Sequence, residues 1–277
     1  VLLEEGFGHL GHTWPPVRMH LTPLPALLIV SAREEIRRVG SVPLEAGIST
    51  PERYDIETAV REQFDRSGYV TNIGGLGLYP SMIIETANIN FLMDVVAHEW
   101  AHHWMGLYPI GLNYASSGEM RTINESAANI LGREIGAAVI RRYYPEYVLP
   151  PPPENPPEPL PLDPAAPPPF DFRAEMAETR ITADRLLAEG NIEAAEFYME
   201  ARRRFFLDNG YNLRVLNQAY FAFHGAYADQ GGATGSDPVG PLVNQVRAKS
   251  GTLRMFLDNI RFVTTFSELQ AVAAELE

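Results

Sequence analysis

The segment His98-Glu99-Trp100-Ala101-His102 puts two imidazoles and a carboxylate where they could bind and work with a metal ion. On a helix, His98 and His102 are about one turn apart and share a face, so both rings can reach one ion. Zinc accepts neutral imidazole nitrogen, and a catalytic zinc takes three protein ligands and leaves a fourth position for water. Glu99 adjoins that position and is the candidate general base, able to take a proton from water and return it to a leaving nitrogen. The residues around the motif are uncharged apart from Asp94, so an ordinary buried helix would have to tolerate three costly polar groups without a metal. Glu125 follows 23 positions after His102, which allows one loop and a return on a second helix. It is the candidate third ligand, ahead of Glu119, read as lying in a loop before that helix, and Glu134, more than two turns along it. Ala128 is small enough for the two helices to approach closely. Asn129, four residues after Glu125, is the candidate partner for a ligand histidine's second ring nitrogen.

Together, His98-Glu99-Trp100-Ala101-His102 and Asn124-Glu125-Ser126-Ala127-Ala128 resemble the gluzincin clan of metallopeptidases, whose pattern is His-Glu-x-x-His followed by Asn-Glu-x-x-Ala on a second helix. The stretch from His98 to Gly106 is similar to the aminopeptidase branch, and Asn129 stands where thermolysin-like enzymes have an Asp that orients a histidine. The resemblance implies a zincin-like fold, a zinc cofactor, hydrolysis of a peptide or protein substrate, and an oxyanion held by Tyr or His from the helical C-terminal part. Tyr220 and His224 are the candidates for that role, on one face with Asn217 and Tyr227 if 213–229 is a single helix. Arg214, on a neighbouring face, could meet a substrate carboxylate. The Gly-x-Met-Glu-Asn segment with which the aminopeptidase branch grips a free amino terminus has no counterpart before His98. Met105 and Tyr108 exclude the metzincin pattern, and the absence of cysteine excludes a deformylase ligand set.

The elements that must position these groups read as an α+β chain in three parts. Residues 1–148 form a zincin-like part with a mixed sheet and two metal-binding helices, 149–170 a proline-rich connector, and 171–277 an all-helical part that completes the cleft. In the first part, 25–31 reads as a buried strand, Thr50-Pro51 as the N-cap and first-turn proline of a helix to about 64, and 89–105 and 123–144 as the metal-binding helices. The stretch 72–80 is glycine-rich and ends in proline, as a loop or edge strand does, without the context of a nucleotide site. Prolines crowd 149–170 and exclude helix or central strand, leaving an extended spacer. Beyond it, 172–189, 192–208 and 213–229 carry apolar residues at helical spacing, the first two ending at Gly190-Asn191 and Asn209-Gly210. The glycine-rich 231–238 reads as a rim or lid of the cleft. His103 points about 100° from His102 and reads as a packing residue or one that supports a ligand, rather than as a ligand itself. His9 and His12 could serve a second ion only weakly, having just Glu4 and Glu5 nearby.

Composition narrows the function classes. The 277 residues have a net charge of −13, so an extended nucleic acid would be repelled. Without cysteine, thiolate catalysis, disulfides and cysteine-held metals are excluded. Apolar runs fall well short of the roughly 20 residues that span a bilayer, so no membrane segment is expected within the chain. The opening Val1-Leu2-Leu3-Glu4-Glu5 suggests that any signal or anchor was removed before this numbering begins, and a cysteine-free chain slightly favours an extracytoplasmic or envelope location. Two other functions fit the residues: an envelope binding module with a structural or sensing metal, and hydrolysis of an ester or non-peptide amide.

Overall fold

The strands of the N-terminal part form three small sheets rather than one. The computed structural model describes residues 1–150 and 170–276, so most of the expected proline-rich connector lies outside the described residues. β1 (Gly8–His9) and β2 (His12–Thr13) pair as an antiparallel hairpin, and β3 (Met19–Leu21) follows. The apolar run read as a buried strand is β4 (Ala26–Ser31), antiparallel to both β5 (Arg38–Leu44) and β6 (Ser67–Asn72). Its Ala26 and Leu28 pack with Val70 of β6 and Val60 of α1 (Thr50–Phe64). Ser49, not Thr50, caps that helix: its hydroxyl accepts the Glu52 N–H while the Glu52 carboxylate accepts the Ser49 N–H, a reciprocal arrangement that Thr50 would lack.

Past β6, the glycine-rich stretch forms β7 (Gly75–Leu76), an edge strand antiparallel to β8 (Ser81–Ile83), which in turn runs parallel to β3. This is the mixed sheet, confined to three short strands. Pro80 supplies no N–H to a ladder and the glycines bring no side chains to pack, so neither ladder extends.

Behind that sheet runs α2 (Ile89–Met105), capped by the Asn88 side chain, followed by the single turn α3 (Pro109–Leu112) and the long α4 (Gly118–Tyr143). The last begins five residues before the expected position, because the Ser117 hydroxyl accepts the Met120 N–H and starts the helix there. Glu119 therefore sits in the first helical turn, not in a loop. Close approach of α2 and α4 depends on Gly132 and Gly136 as well as the fully buried Ala128. A Cβ at 132 would stand 2.8 Å from the Asp94 carbonyl oxygen, and one at 136 would stand 2.9 Å from the Asp94 nitrogen.

Six α-helices follow among the described residues, α5 (Phe172–Ala188), α6 (Ile192–Asp208), α7 (Gln218–His224), α8 (Val239–Lys249), α9 (Leu253–Ile260) and α10 (Phe266–Glu275). The single helix expected over 213–229 is only the seven residues of α7. Asn217 caps it by accepting the Tyr220 N–H, and Gly225 ends it. Rather than forming one bundle, these helices serve two cores. Val243, Phe256 and Leu257 join Trp100, Met105 and Leu131 in the core behind α2 and α4, whereas Met176, Met199 and Phe221 form a second core that Tyr69 of β6 covers. Burying side chains such as Leu131 and Phe256 contributes about 1.5–3 kcal/mol apiece, so the pair α2 and α4 is braced from behind by α8 to α10. The chain is α+β. Among the described residues no helix is long and apolar enough to cross a membrane.

Candidate functional site

His98 and His102 emerge one turn apart from α2, and their Nε2 atoms stand 3.1 Å from each other. From α4, the Glu125 Oε2 approaches to 3.4 Å from His98 Nε2 and 3.6 Å from His102 Nε2. Three ligands placed about 2.0–2.2 Å from a shared tetrahedral centre would be about 3.3–3.6 Å apart, so the spacing suits one small cation. The state of Glu125 points the same way. Its side chain is buried, Oε1 accepts the Tyr114 hydroxyl at 2.5 Å, and Oε2 has no hydrogen-bond partner although it faces two imidazoles. An unsatisfied buried carboxylate oxygen is expensive unless a cation meets it. These three residues are the cluster of potential ligand atoms found among the described residues, all within 4.8 Å of one another.

Hydrogen bonding prepares the ring of His102. Its Nδ1 lies 2.8 Å from the Asn124 Oδ1, while the Asn124 amide nitrogen faces the Ile110 carbonyl at 3.5 Å, which fixes the oxygen end toward the histidine. With Nδ1–H held by Asn124, Nε2 is the nitrogen that faces the site and offers its lone pair once an ion takes the place of the proton there. Burial draws the His102 pKa down, but the adjacent Glu125 charge outweighs it and pushes it up to about 9. Burial likewise raises the Glu125 carboxyl, and the two histidines reverse this, holding it well below the usual carboxylate range.

Glu99, only 5% exposed, is cradled by the glycine-rich strand. A Cβ on Gly75 would fall 2.2 Å from its Oε1, and one on Gly77 would fall 3.4 Å from Oε2. The absence of a side chain at 75 is what lets the carboxylate lie against the β7 backbone. Burial raises its pKa, against the opposing influence of His98 and His102, which makes the carboxylate a better proton acceptor. Glu99, both histidines and Glu125 line one cavity of about 390 Å³, together with Tyr114, Tyr227, Arg38 and Arg121.

Several expected partners stand elsewhere. Asn129 donates to Asp229 at 2.9 Å and touches neither histidine. The contact with His102 comes from Asn124, because a further turn along α4 carries residue 129 past the imidazoles. Tyr220 and His224 do not line the cavity of His98, His102 and Glu125 but a neighbouring one. Their rings are 4.3 Å apart, Tyr220 packs on Tyr69, and the Tyr69 hydroxyl lies 3.3 Å from His224 Nε2. Because α7 ends at His224, the chain turns and directs Tyr227 toward the cavity, its ring 6.4 Å from that of His98. Burial, then the nearby Glu125 charge, keeps the Tyr227 phenol well above its ordinary pKa and therefore protonated. Arg214 is engaged by both oxygens of Glu57 and by the Val70 carbonyl. Glu134 pairs with Arg247. His103 bonds the Leu78 carbonyl at 2.5 Å and the Ser81 hydroxyl at 3.2 Å, tying α2 to the β7–β8 turn. Residues 231–233 border the cavity of Tyr220 and His224 rather than that of His98, His102 and Glu125.

The placement of His224 has a measurable consequence. Burial lowers its pKa from 6.5 to about 4. Between those values the unfolded chain takes up a proton that the folded chain refuses. The stability tied to neutral His224 is complete above pH 6.5 and is lost as pH falls toward 4, by up to about 1.4 kcal/mol per unit. Urea unfolding between pH 7 and 4.5 should therefore show a shallower loss of stability for His224→Asn than for the parent chain. Identical slopes would contradict the buried neutral imidazole.

Sequence reasoning missed Tyr114, Arg38 and Arg121, and gave Asn129 the task of Asn124. The one available signal was the position of Asn124 directly before the third ligand, inside the motif already quoted. Compared with protein-family models, with curated proteins and with solved structures, the chain matches none.

Proposed function

We propose that this chain is a zinc-dependent hydrolase of the gluzincin type that cleaves peptide bonds. The observation that carries the reading is the convergence of two imidazole nitrogens and an unsatisfied buried carboxylate oxygen beside a second carboxylate, Glu99, in one cavity. His98, His102 and Glu125 would hold the ion, which when bound supplies the positive charge that acidifies water and polarises a carbonyl. Glu99 takes the proton of the attacking water and delivers it to the leaving nitrogen. Tyr227, protonated and lining the same cavity, donates a hydrogen bond to the oxygen on which negative charge develops. Asn124 keeps His102 in the tautomer that faces the ion, and Gly75 leaves room for the Glu99 carboxylate.

The test is incubation of the metal-free and zinc-loaded protein with a diverse peptide mixture, with new termini counted by mass spectrometry. Cleavage is expected only with zinc, lost on chelation and restored by zinc. No new termini under any of these conditions would overturn the peptidase reading.

A further inference from the structure

Arg38 of β5 and Arg121 of α4 are the two guanidinium groups that line the cavity of Glu99 and Glu125. Arg121 lies one turn before Glu125 on the same helix and stands over the Tyr114 ring at 5.6 Å, while the Tyr114 hydroxyl is bonded to Glu125. Both arginines also line an adjoining cavity of about 490 Å³, so they occupy the wall the two cavities share. Nearby cations are neutralised: Arg37 pairs with Glu35 and Arg180 with Asp184. Among the described residues, neither Arg38 nor Arg121 forms an ion pair with a carboxylate. Arg38 bonds only the Ser41 hydroxyl, at 2.5 Å, and the Arg121 Nε is buried with no partner. In a chain of net charge −13, carboxylates are plentiful enough to pair every arginine. Two half-buried guanidiniums that line one cleft without a carboxylate within ion-pair distance leave room for an anion to pair with them. The planar fork of Arg suits a carboxylate, which it can hold through two parallel hydrogen bonds. Burial and the repulsion from Arg121 also lower the Arg38 pKa, outweighing the opposing influence of Tyr114, Tyr227 and Glu125.

We infer that Arg38 and Arg121 receive a carboxylate of the substrate, so that preferred peptides carry a free C-terminus or an Asp or Glu side chain within a few residues of the bond cleaved. This rests on the hydrolase reading for its substrate class, but its test does not require turnover. The probes are N-acetyl-tetra-alanine with a free carboxylate, the same peptide as the C-terminal amide, and an amide-capped analogue with one internal Asp. Binding to zinc-loaded Glu99→Gln protein is measured by calorimetry, first with both arginines present and then with Arg38→Gln, Arg121→Gln or Arg121→Lys added.

At least one carboxylate probe should bind tenfold or more tightly than the uncharged amide. Which one does so tells a terminal carboxylate from a side-chain one. Each Arg→Gln change should reduce that preference severalfold, and Arg121→Lys, which keeps the charge, should retain part of it. Equal binding of all three probes would overturn the inference, and so would a preference that survives both Arg→Gln changes, since the carboxylate would then be held by the metal alone. If the preference is present but the parent enzyme cleaves no peptide, the peptidase reading fails and the anion site stands.

Discussion

Glu99→Gln is expected to lower peptide hydrolysis by about 10²–10⁴-fold while zinc stays bound. Gln fills the same space against Gly75 and Gly77, so the cradle remains intact. What the substitution removes is the ability to accept a proton from water and pass it to the leaving nitrogen. His98, His102 and Glu125 are untouched, and zinc content should match that of the parent chain. Steady-state kinetics should place the loss in kcat, because a proton shuttle acts in the transition state more than in the bound ground state. Full activity in zinc-loaded Glu99→Gln would remove Glu99 from the mechanism.

The second large effect concerns Glu125. Glu125→Gln keeps the side-chain volume and the acceptor for Tyr114 but removes the charge that faces the two imidazoles. Zinc affinity should fall by at least about 100-fold, beyond the 10–100-fold typical of losing an outer hydrogen-bond partner. Near pH 7 the metal-free chain should lose stability as well, by about 3–5 kcal/mol, because the substitution removes the carboxylate that faces a buried His102 imidazolium, so the fall in affinity is the decisive quantity. Chelator-competition titration gives the first quantity and urea unfolding the second. If affinity held while stability collapsed, Glu125 would be a structural carboxylate rather than a ligand.

The contrast between residues found and residues missed follows from the range of the interactions. His98, Glu99 and His102 are set by one helical turn, and a turn has the same geometry wherever a helix forms. The α+β class was legible from the apolar run at 26–31, the glycine and proline breaks, and the helical spacing beyond the connector. Tyr114 and Arg38 come instead from an irregular segment and an edge strand, where no periodicity shows which side chains will meet α4. The choice of Tyr220 and His224 assumed a helix unbroken through 229. Asn217 and Gly225 bound it to seven residues, and the turn after Gly225 brings Tyr227 to the cavity in their place. Asn129 shares the Glu125 stripe, yet lateral neighbours across a helix pair depend on where the helices cross. Here Gly132 and Gly136 set that crossing by admitting the backbone of Asp94, a packing detail that spacing along one helix does not carry.

The most direct test is the coordination of zinc in the loaded protein, by zinc-edge X-ray absorption together with a crystal structure using anomalous scattering. One ion is expected, bound by His98 and His102 nitrogen and one Glu125 oxygen at about 2.0–2.2 Å, with the fourth position open to water and Glu99 beside it but not a ligand. A fourth protein ligand closing the site, or zinc bound away from these three residues, would contradict the account.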